Sequence, residues 1–207
     1  IIGADKDGVE ALPNRVAGVQ LNTVNAVGSN LVGGSTAGDR NLISGNSFNA
    51  ASAGVLCLEC GTGSAAKGNW IGVDISGAAP LPNGIGVRVS GSVASPAVPS
   101  IVIGGTNPGD GNVISGNVGS GVLSHDDASG SYVVQGNLIG VAPDGVTDLA
   151  QDFLGHGDVR LVLQPQHLMA LVRVADHPLE EDERAAGRRE HECTQCGGIE
   201  GRGGDEV

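Results

Sequence analysis

Four cysteines in two closely spaced pairs are the side chains of this sequence best suited to chemistry. Cys57 and Cys60, and likewise Cys193 and Cys196, have the spacing of a zinc knuckle. Two such pairs could supply the four thiolates of a tetrahedral zinc site. However, 132 residues separate the pairs, and Cys57 follows Val55 where a strand needs a small inward side chain. We therefore predict no metal site, and consider a Cys57–Cys60 disulfide in the case of an exported chain.

Adjacent carboxylates form the second chemical candidate. Asp126 and Asp127 are neighbours, and a Gly-His-Gly stands at 155–157. Two nearby carboxyl groups can serve as acid and base on either side of a glycosidic bond. The simpler interpretation of the pair is a polar loop after a strand at 121–124. The sequence thus identifies no catalytic residue.

An arginine with carboxylates around it would suit a calcium-dependent lyase. Calcium takes six to eight oxygen ligands. Arg88 has Asp74 and Asp110 within one repeat unit of it, but nothing gathers a third carboxylate there. Arg40 and Arg88 are therefore expected to be solvated surface groups, and no cofactor is predicted.

Glycine-rich segments also invite a functional interpretation. Gly-Asp pairs stand at 38–39 and 109–110, and Gly-Gly pairs at 33–34 and 104–105. Calcium-binding Gly-Asp repeats need tandem copies about every nine residues, and here the spacing is far longer. No Gly-Lys-Ser/Thr follows the Gly-Gly pairs, as a phosphate loop requires. Both kinds of pair are predicted to be turns.

An internal repeat organises the elements that carry these residues. The segment IGADKDGVEALPN at 2–14 recurs as IGVDISGAAPLPN at 71–83, and a third copy begins at Ile139. The segment GGSTAGDRNLISGN at 33–46 recurs as GGTNPGDGNVISGN at 104–117. The repeat unit is about 70 residues long, as in proteins built from stacked units.

Short strands separated by turns are predicted within each unit. Examples of the strand signals lie at 18–21, 41–44, 54–57, 69–73 and 86–89. Val87 and Val89 alternate with Arg88, which is the period of a half-buried strand. No helical period precedes residue 150. At roughly 20 to 25 residues per turn of a solenoid, residues 1–150 would form about six or seven turns.

Asparagines recur at matching places around these strands, at Asn41, Asn46, Asn69, Asn112, Asn117 and Asn137. Equivalent asparagines in stacked β-structure can form ladders of hydrogen bonds between their side chains. We predict that these residues are structural.

The phrases NVISGN (112–117), GNLIGV (136–141) and IGGT (103–106) resemble repeats of large bacterial exported proteins. Those proteins share the right-handed parallel β-helix of the pectin-lyase-like fold. The resemblance covers residues 1–150 and implies an all-β, single-stranded solenoid. Polygalacturonase-like hydrolases of that fold carry an Asp pair followed by Gly-His-Gly, but this chain lacks their upstream Asn-Thr-Asp and downstream Arg-Ile-Lys. Because the fold also includes lyases and adhesins, it selects no activity.

Composition supports a narrow solenoid core and excludes some partners. Aromatic residues make up 2% of the 207 residues, while hydrophobic residues make up 40% and glycine numbers 36. The net charge of -12 argues against nucleic acid binding. No apolar run is long enough for membrane insertion.

Residues 151–207 follow a different pattern, and we predict an irregular, disordered tail. They contain neither Asn nor Ser, and Leu149-Ala150-Gln151 replaces the Leu-Pro-Asn of 81–83. The stretch 166–175 is apolar enough for one strand or short helix. Out-of-frame translation after Gln151 explains the break better than a separate functional segment.

The expected function is structural or adhesive, in a secreted or cell-surface bacterial protein of which this chain is a fragment. Flat solenoid faces suit extended partners such as polysaccharides or surface proteins. The alternative is a polysaccharide lyase or glycoside hydrolase of the same fold. A third possibility is a truncated copy without a selected function.

Overall fold

The protein is built almost entirely from short β-strands. A computed structural model describes residues 1–22, 29–58, 60–90, 100–124, 131–149 and 171–174. The strands are β1 (Ala17–Asn22), β2 (Leu31–Gly33), β3 (Leu42–Ile43), β4 (Ala53–Leu58), β5 (Ser64–Lys67), β6 (Trp70–Ile71), β7 (Ile85–Ser90), β8 (Ser100–Gly104), β9 (Val113–Ile114), β10 (Val122–Ser124), β11 (Ser131–Ile139) and β12 (Leu171–Val174). Helix in these ranges is limited to a 3-10 turn at Ala37–Asp39. The all-β prediction is confirmed.

These strands pair in parallel, in two sheets. One sheet has the order β1-β4-β7-β10. The other has the order β2-β5-β8-β11-β9-β6-β3, because β11 pairs with β8 through its first half and with β9 through its second half. Strand β12 adds to β11, inside the apolar stretch 166–175. The paired strands are thus far apart in sequence, and their pairing is parallel throughout the two sheets.

An isoleucine ladder marks the layers. Ile2 pairs with Ile43, Ile43 with Ile71, Ile71 with Ile114, and Ile114 with Ile139. We call the chain between successive members of this ladder a pass. Parallel neighbours in a sheet are about 4.8 Å apart, so this is the rise from one pass to the next.

The passes are longer than the sequence predicts. Equivalent asparagines bonded between successive passes lie 28, 43 and 25 residues apart along the chain. The expected length of about 20–25 residues is therefore wrong for most passes. Because long and short passes alternate, the 70-residue repeat spans two of them.

Aliphatic side chains from both sheets fill the interior. Val55, Val87 and Val89 are fully buried beside the isoleucine ladder, while Arg88 lies between the two valines in β7 and outside this core. The alternation predicted for β7 is confirmed. A core of stacked Val and Ile is narrow, which explains how the chain folds with so few aromatic rings.

Glycines stack near the beginning of the strands of the first sheet and leave space for the isoleucines of this core. Gly18, Gly54, Gly86 and Gly121 each lie against an isoleucine of the ladder. A Cβ added to Gly54 would come within 2.8 Å of Ile71 Cγ2 and 2.9 Å of Asn83 Nδ2. Any larger side chain at this position would therefore push the layers apart.

Candidate functional site

Two asparagine ladders occupy two of the corners where the chain turns between strands. The first ladder contains Asn14, Asn46, Asn83 and Asn117, and the second contains Asn41, Asn69, Asn112 and Asn137. In both ladders each side-chain amide donates to the side-chain oxygen of the next asparagine. The structural interpretation of the six predicted asparagines is confirmed. The sequence pattern did not separate them into two ladders.

Asn112 shows that both polar atoms of a ladder side chain are fully hydrogen-bonded. Its Oδ1 accepts from the backbone N–H and the side chain of Asn69, at 2.9 and 3.1 Å. Its Nδ2 donates to Ala66 O and to Asn137 Oδ1, both at 2.8 Å. Buried amides with all partners in place hold neighbouring passes in one register. They leave no spare group for a ligand.

Hairpin loops project from every second pass, between the isoleucine ladder and the first asparagine ladder. They close through antiparallel bridges between Ala4 and Ala11, Val73 and Pro80, and Val141 and Asp148. The intervening passes turn this corner with Ser-Gly alone, at 44–45 and at 115–116. The repeated segment at 2–14 and 71–83 therefore encodes a turn plus an inserted loop.

An aspartate inside each hairpin binds the backbone of its own loop. Asp5 accepts from the N–H groups of Val9 and Glu10, at 2.9 and 3.1 Å, and the Glu10 N–H does most to lower the pKa of Asp5. Asp144 accepts from Val146 and Thr147 N–H, both at 2.9 Å, and the Thr147 hydroxyl is the main cause of its lowered pKa. These carboxylates shape the loops.

The hairpins touch one another across the intervening passes. The N–H of Ile75 donates to Gly8 O at 3.0 Å. A Cβ added to Gly77 would come within 2.7 Å of Pro143 Cγ, in the next hairpin. The hairpins of alternate passes therefore lie directly against one another.

The hairpins cover an apolar patch outside the main core. Val73, Val113, Ala142 and Leu149 are buried there, with Trp70 and Leu138 packed against them. The guanidinium carbon of Arg40 lies 4.5 Å from the centre of the Trp70 ring. Arg40 is exposed, as predicted, but it contributes a cation–π contact. The hairpins expose Val9, Ile75 and Val146 to solvent.

Asp110 is a buried aspartate at the centre of a partly buried polar cluster that the sequence did not reveal. Its carboxylate accepts from Ser35 Oγ at 2.5 Å, Lys67 Nζ at 3.1 Å and Asn107 Nδ2 at 3.0 Å. The Ser35 hydroxyl, followed by Lys67, lowers the pKa of Asp110 to about 2. The predicted turn at 109–110 therefore also links three passes. The equivalent Asp39 is exposed and binds Thr36.

Arg88 lies on the outer face of the first sheet, as the strand pattern predicts. Its register partners are Leu56 in β4 and Leu123 in β10. Its Nε is buried and makes no hydrogen bond. Arg88 is half-buried, so it is only partly solvated at the surface where the sequence places it. Asp74 caps its own hairpin and Asp110 holds Lys67, so these two carboxylates are engaged in separate loops.

Cys57 and Cys60 form a disulfide whose two residues are both buried. The considered pairing is thereby confirmed. Cys193 and Cys196 lie outside the described residues, as do Asp126, Asp127 and the Gly-His-Gly of 155–157. In the ranges that the structure covers, no three metal-ligating side chains converge, and no helix is long and apolar enough to span a membrane.

Comparison of the chain with models of protein families, with curated proteins and with solved structures finds no match.

Proposed function

We propose that residues 1–150 are a stretch of right-handed parallel β-helix with the pectin-lyase-like architecture. The parallel pairing of strands one pass apart supports this fold. Parallel crossovers are right-handed in nearly all known proteins, which supports the handedness. The role that we propose is structural and adhesive, in a secreted or cell-surface bacterial protein.

The stacked hairpins are the observation that carries the proposed role. Each hairpin exposes one large apolar side chain, with Val9, Ile75 and Val146 exposed by 52%, 49% and 81%. Exposed apolar side chains on successive hairpins suit contact with an extended partner, such as a polysaccharide or a surface protein. The Cys57–Cys60 disulfide supports export, because structural disulfides form in oxidising compartments.

Binding of the full chain to immobilised polysaccharides and to bacterial surface protein extracts would test this role. We expect the triple substitution Val9→Ser, Ile75→Ser and Val146→Ser to weaken binding at least tenfold. The matched control replaces Val16 and Phe48 with serine. Both are exposed by a similar fraction, 58% and 57%, but lie outside the hairpins. Equal loss in both variants, or no binding by the unmodified chain, would refute the presentation of loops.

The alternative function, a polysaccharide lyase or glycoside hydrolase, is tested with the same polymers. Release of unsaturated or reducing ends from polygalacturonate, with or without calcium, would establish it and displace the adhesive proposal. Persistent binding without product release would support the adhesive role.

A further inference from the structure

The three hairpins hold most of the negative charge that the structure describes. The segments at 4–11, 73–80 and 141–148 contain six carboxylates and one basic residue, Lys6, and so have a net charge of -5. Outside the hairpins, the described part of residues 1–149 has the opposite balance. Its charged side chains are two aspartates and four basic residues, namely Asp39, Asp110, Arg15, Arg40, Lys67 and Arg88. The acidic part of the described stack is therefore its hairpins.

Hydrogen bonds within the hairpins leave this charge in place. The Glu10 N–H lowers the pKa of Asp5, and a threonine hydroxyl in its own loop lowers the pKa of Asp144. A neutral N–H or O–H donor favours the carboxylate without cancelling its charge. The ion pair that the structure gives for a hairpin joins Lys6 and Asp7, whose side chains are exposed by 86% and 63%. The hairpins therefore stay negatively charged at neutral pH.

Exposed aliphatic side chains accompany these carboxylates. Each hairpin exposes one of them, namely Val9, Ile75 and Val146. Because neighbouring hairpins are in direct contact, the three segments form one continuous surface, which we call the hairpin surface. It presents aliphatic side chains and carboxylates to solvent together.

We propose that the hairpin surface binds a basic protein segment, in which lysine or arginine side chains stand among aliphatic ones. This inference rests on the adhesive role proposed above and names the class of its partner. Aliphatic side chains of the partner would pack against Val9, Ile75 and Val146. Its cations would pair with the hairpin carboxylates, and the long stems of lysine and arginine would add apolar contact.

Other occupants fit the hairpin surface less well. An acidic polysaccharide or a second copy of this chain, docked through its own hairpins, would bring like charges together. A neutral polysaccharide would place hydroxyl groups against the exposed aliphatic side chains, and the three hairpin segments contain no aromatic residue on which a sugar ring could stack. A cationic, aliphatic partner satisfies both features of the surface.

The peptide acetyl-Lys-Val-Gly-Lys-Val-Gly-Lys-Val-amide, titrated calorimetrically into the full chain, tests this inference. We expect saturable binding that weakens as salt is added, because exposed charges are screened. The same peptide with Glu in place of each Lys should bind at least about tenfold more weakly, since like charges then meet. The same peptide with Ser in place of each Val should also bind more weakly, because it lacks the aliphatic contacts.

Charge variants locate the binding on the hairpins. Asp7→Asn combined with Glu10→Gln removes two exposed carboxylates and leaves in place the aspartates that bind their own loops. This variant should lower the affinity for the lysine peptide about threefold at low salt. Asp39→Asn removes an exposed carboxylate outside the hairpins and should leave the affinity unchanged.

The outcomes separate this inference from the adhesive role on which it rests. Equal affinities of the lysine and glutamate peptides, or an equal loss in the Asp39→Asn variant, would overturn the basic partner. Hairpin-dependent binding of a polysaccharide, without binding of the lysine peptide, would also overturn it and leave the adhesive role standing. Peptide binding that survives the triple serine substitution of Val9, Ile75 and Val146 would count against both.

Discussion

At the residue scale, buried amides supply the polar contacts that keep one pass in register with the next. Each interior ladder asparagine, such as Asn69 or Asn112, replaces bonds to water with bonds to two neighbouring passes. A hydrophobic column allows small sliding between layers, whereas an amide that donates and accepts in one plane does not. The ladders therefore determine register as well as adding stability.

Asn112→Ala should destabilise the protein by about 1–3 kcal/mol, because it leaves Ala66 O and the Asn69 amide without their buried partners. Denaturant unfolding measures the change. Asn22→Ala is the matched control, because Asn22 is exposed at the end of β1. An equal effect of both substitutions would contradict the ladder's contribution.

Asp110 makes stability depend on acid pH. Folding lowers the pKa of Asp110 from 3.8 to about 2. The native cluster favours the carboxylate, so its contribution is complete above the unfolded pKa and is lost as pH falls through the folded value. Asp110→Asn should remove this part of the loss of stability between about pH 4 and pH 2.

Thermal unfolding of both proteins across that pH range measures the effect of Asp110→Asn. Asp39→Asn, at the equivalent repeat position, leaves the cluster intact and should retain the acid dependence. Parallel pH profiles for the unmodified protein and Asp110→Asn would contradict the assignment.

The residue types at 38–39 and 109–110 predicted turns, but they did not predict the polar cluster around Asp110. Gly109-Asp110 looks identical to Gly38-Asp39 in sequence, and both were predicted to be simple turns. Asp110 becomes buried because Ser35 and Lys67 reach it from earlier passes, 75 and 43 residues away in the chain. No local pattern carries that information.

At the element scale, the hairpins form an outer layer on the second sheet. Each hairpin is an insertion at a corner that the intervening pass turns with two residues. Strand signals found β1, β3, β4, β6 and β7 to within one or two residues. The quoted signals do not include β2, β5, β8, β9 or β11, and of these β5 has a Ser-Ala-Ala-Lys sequence of low strand propensity. Stacking between β2 and β8 compensates for that propensity.

Replacing residues 72–82 with the Ser-Gly of the short corner should uncover Trp70 and Val113. We expect a loss of stability on the order of 3 kcal/mol, comparable with exposing one or two buried apolar side chains. The emission of the chain's single tryptophan should move to longer wavelength.

Ile75→Ser serves as the control for the hairpin replacement, because Ile75 is 49% exposed and its loss leaves the hairpin in place. Its tryptophan emission should match that of the unmodified protein. A replacement variant with unchanged emission and stability would show that the hairpins do not protect the patch.

At the scale of the whole molecule, each pass contacts mainly the passes on either side. Stability in such a stack is a sum of neighbour interactions, so interior passes are the best protected. Strands β4 and β7 have neighbours on both sides, whereas β1 and β10 stand at the ends of the described sheet.

Amide hydrogen exchange should therefore be slowest in β4 and β7 and faster in β1 and β10. Mass spectrometry of peptides covering these strands under native conditions measures the difference. Ile71 and Ile114, in the interior of the second sheet, provide an internal reference for full protection. Uniform exchange across all four strands would indicate a single cooperative unit instead.

The sequence by itself determined the β-rich class, the 70-residue repeat, the parallel stacking and the structural use of asparagine. These features follow from local periodicity and internal repeats, which are visible along the chain without knowing which residues meet in space. Only the tertiary structure decided the length of a pass, the division of asparagines between two ladders, the burial of Asp110 and the unpartnered Nε of Arg88. Those features depend on which residues meet across loops of unequal length, and the alignment of layers in space sets that pairing.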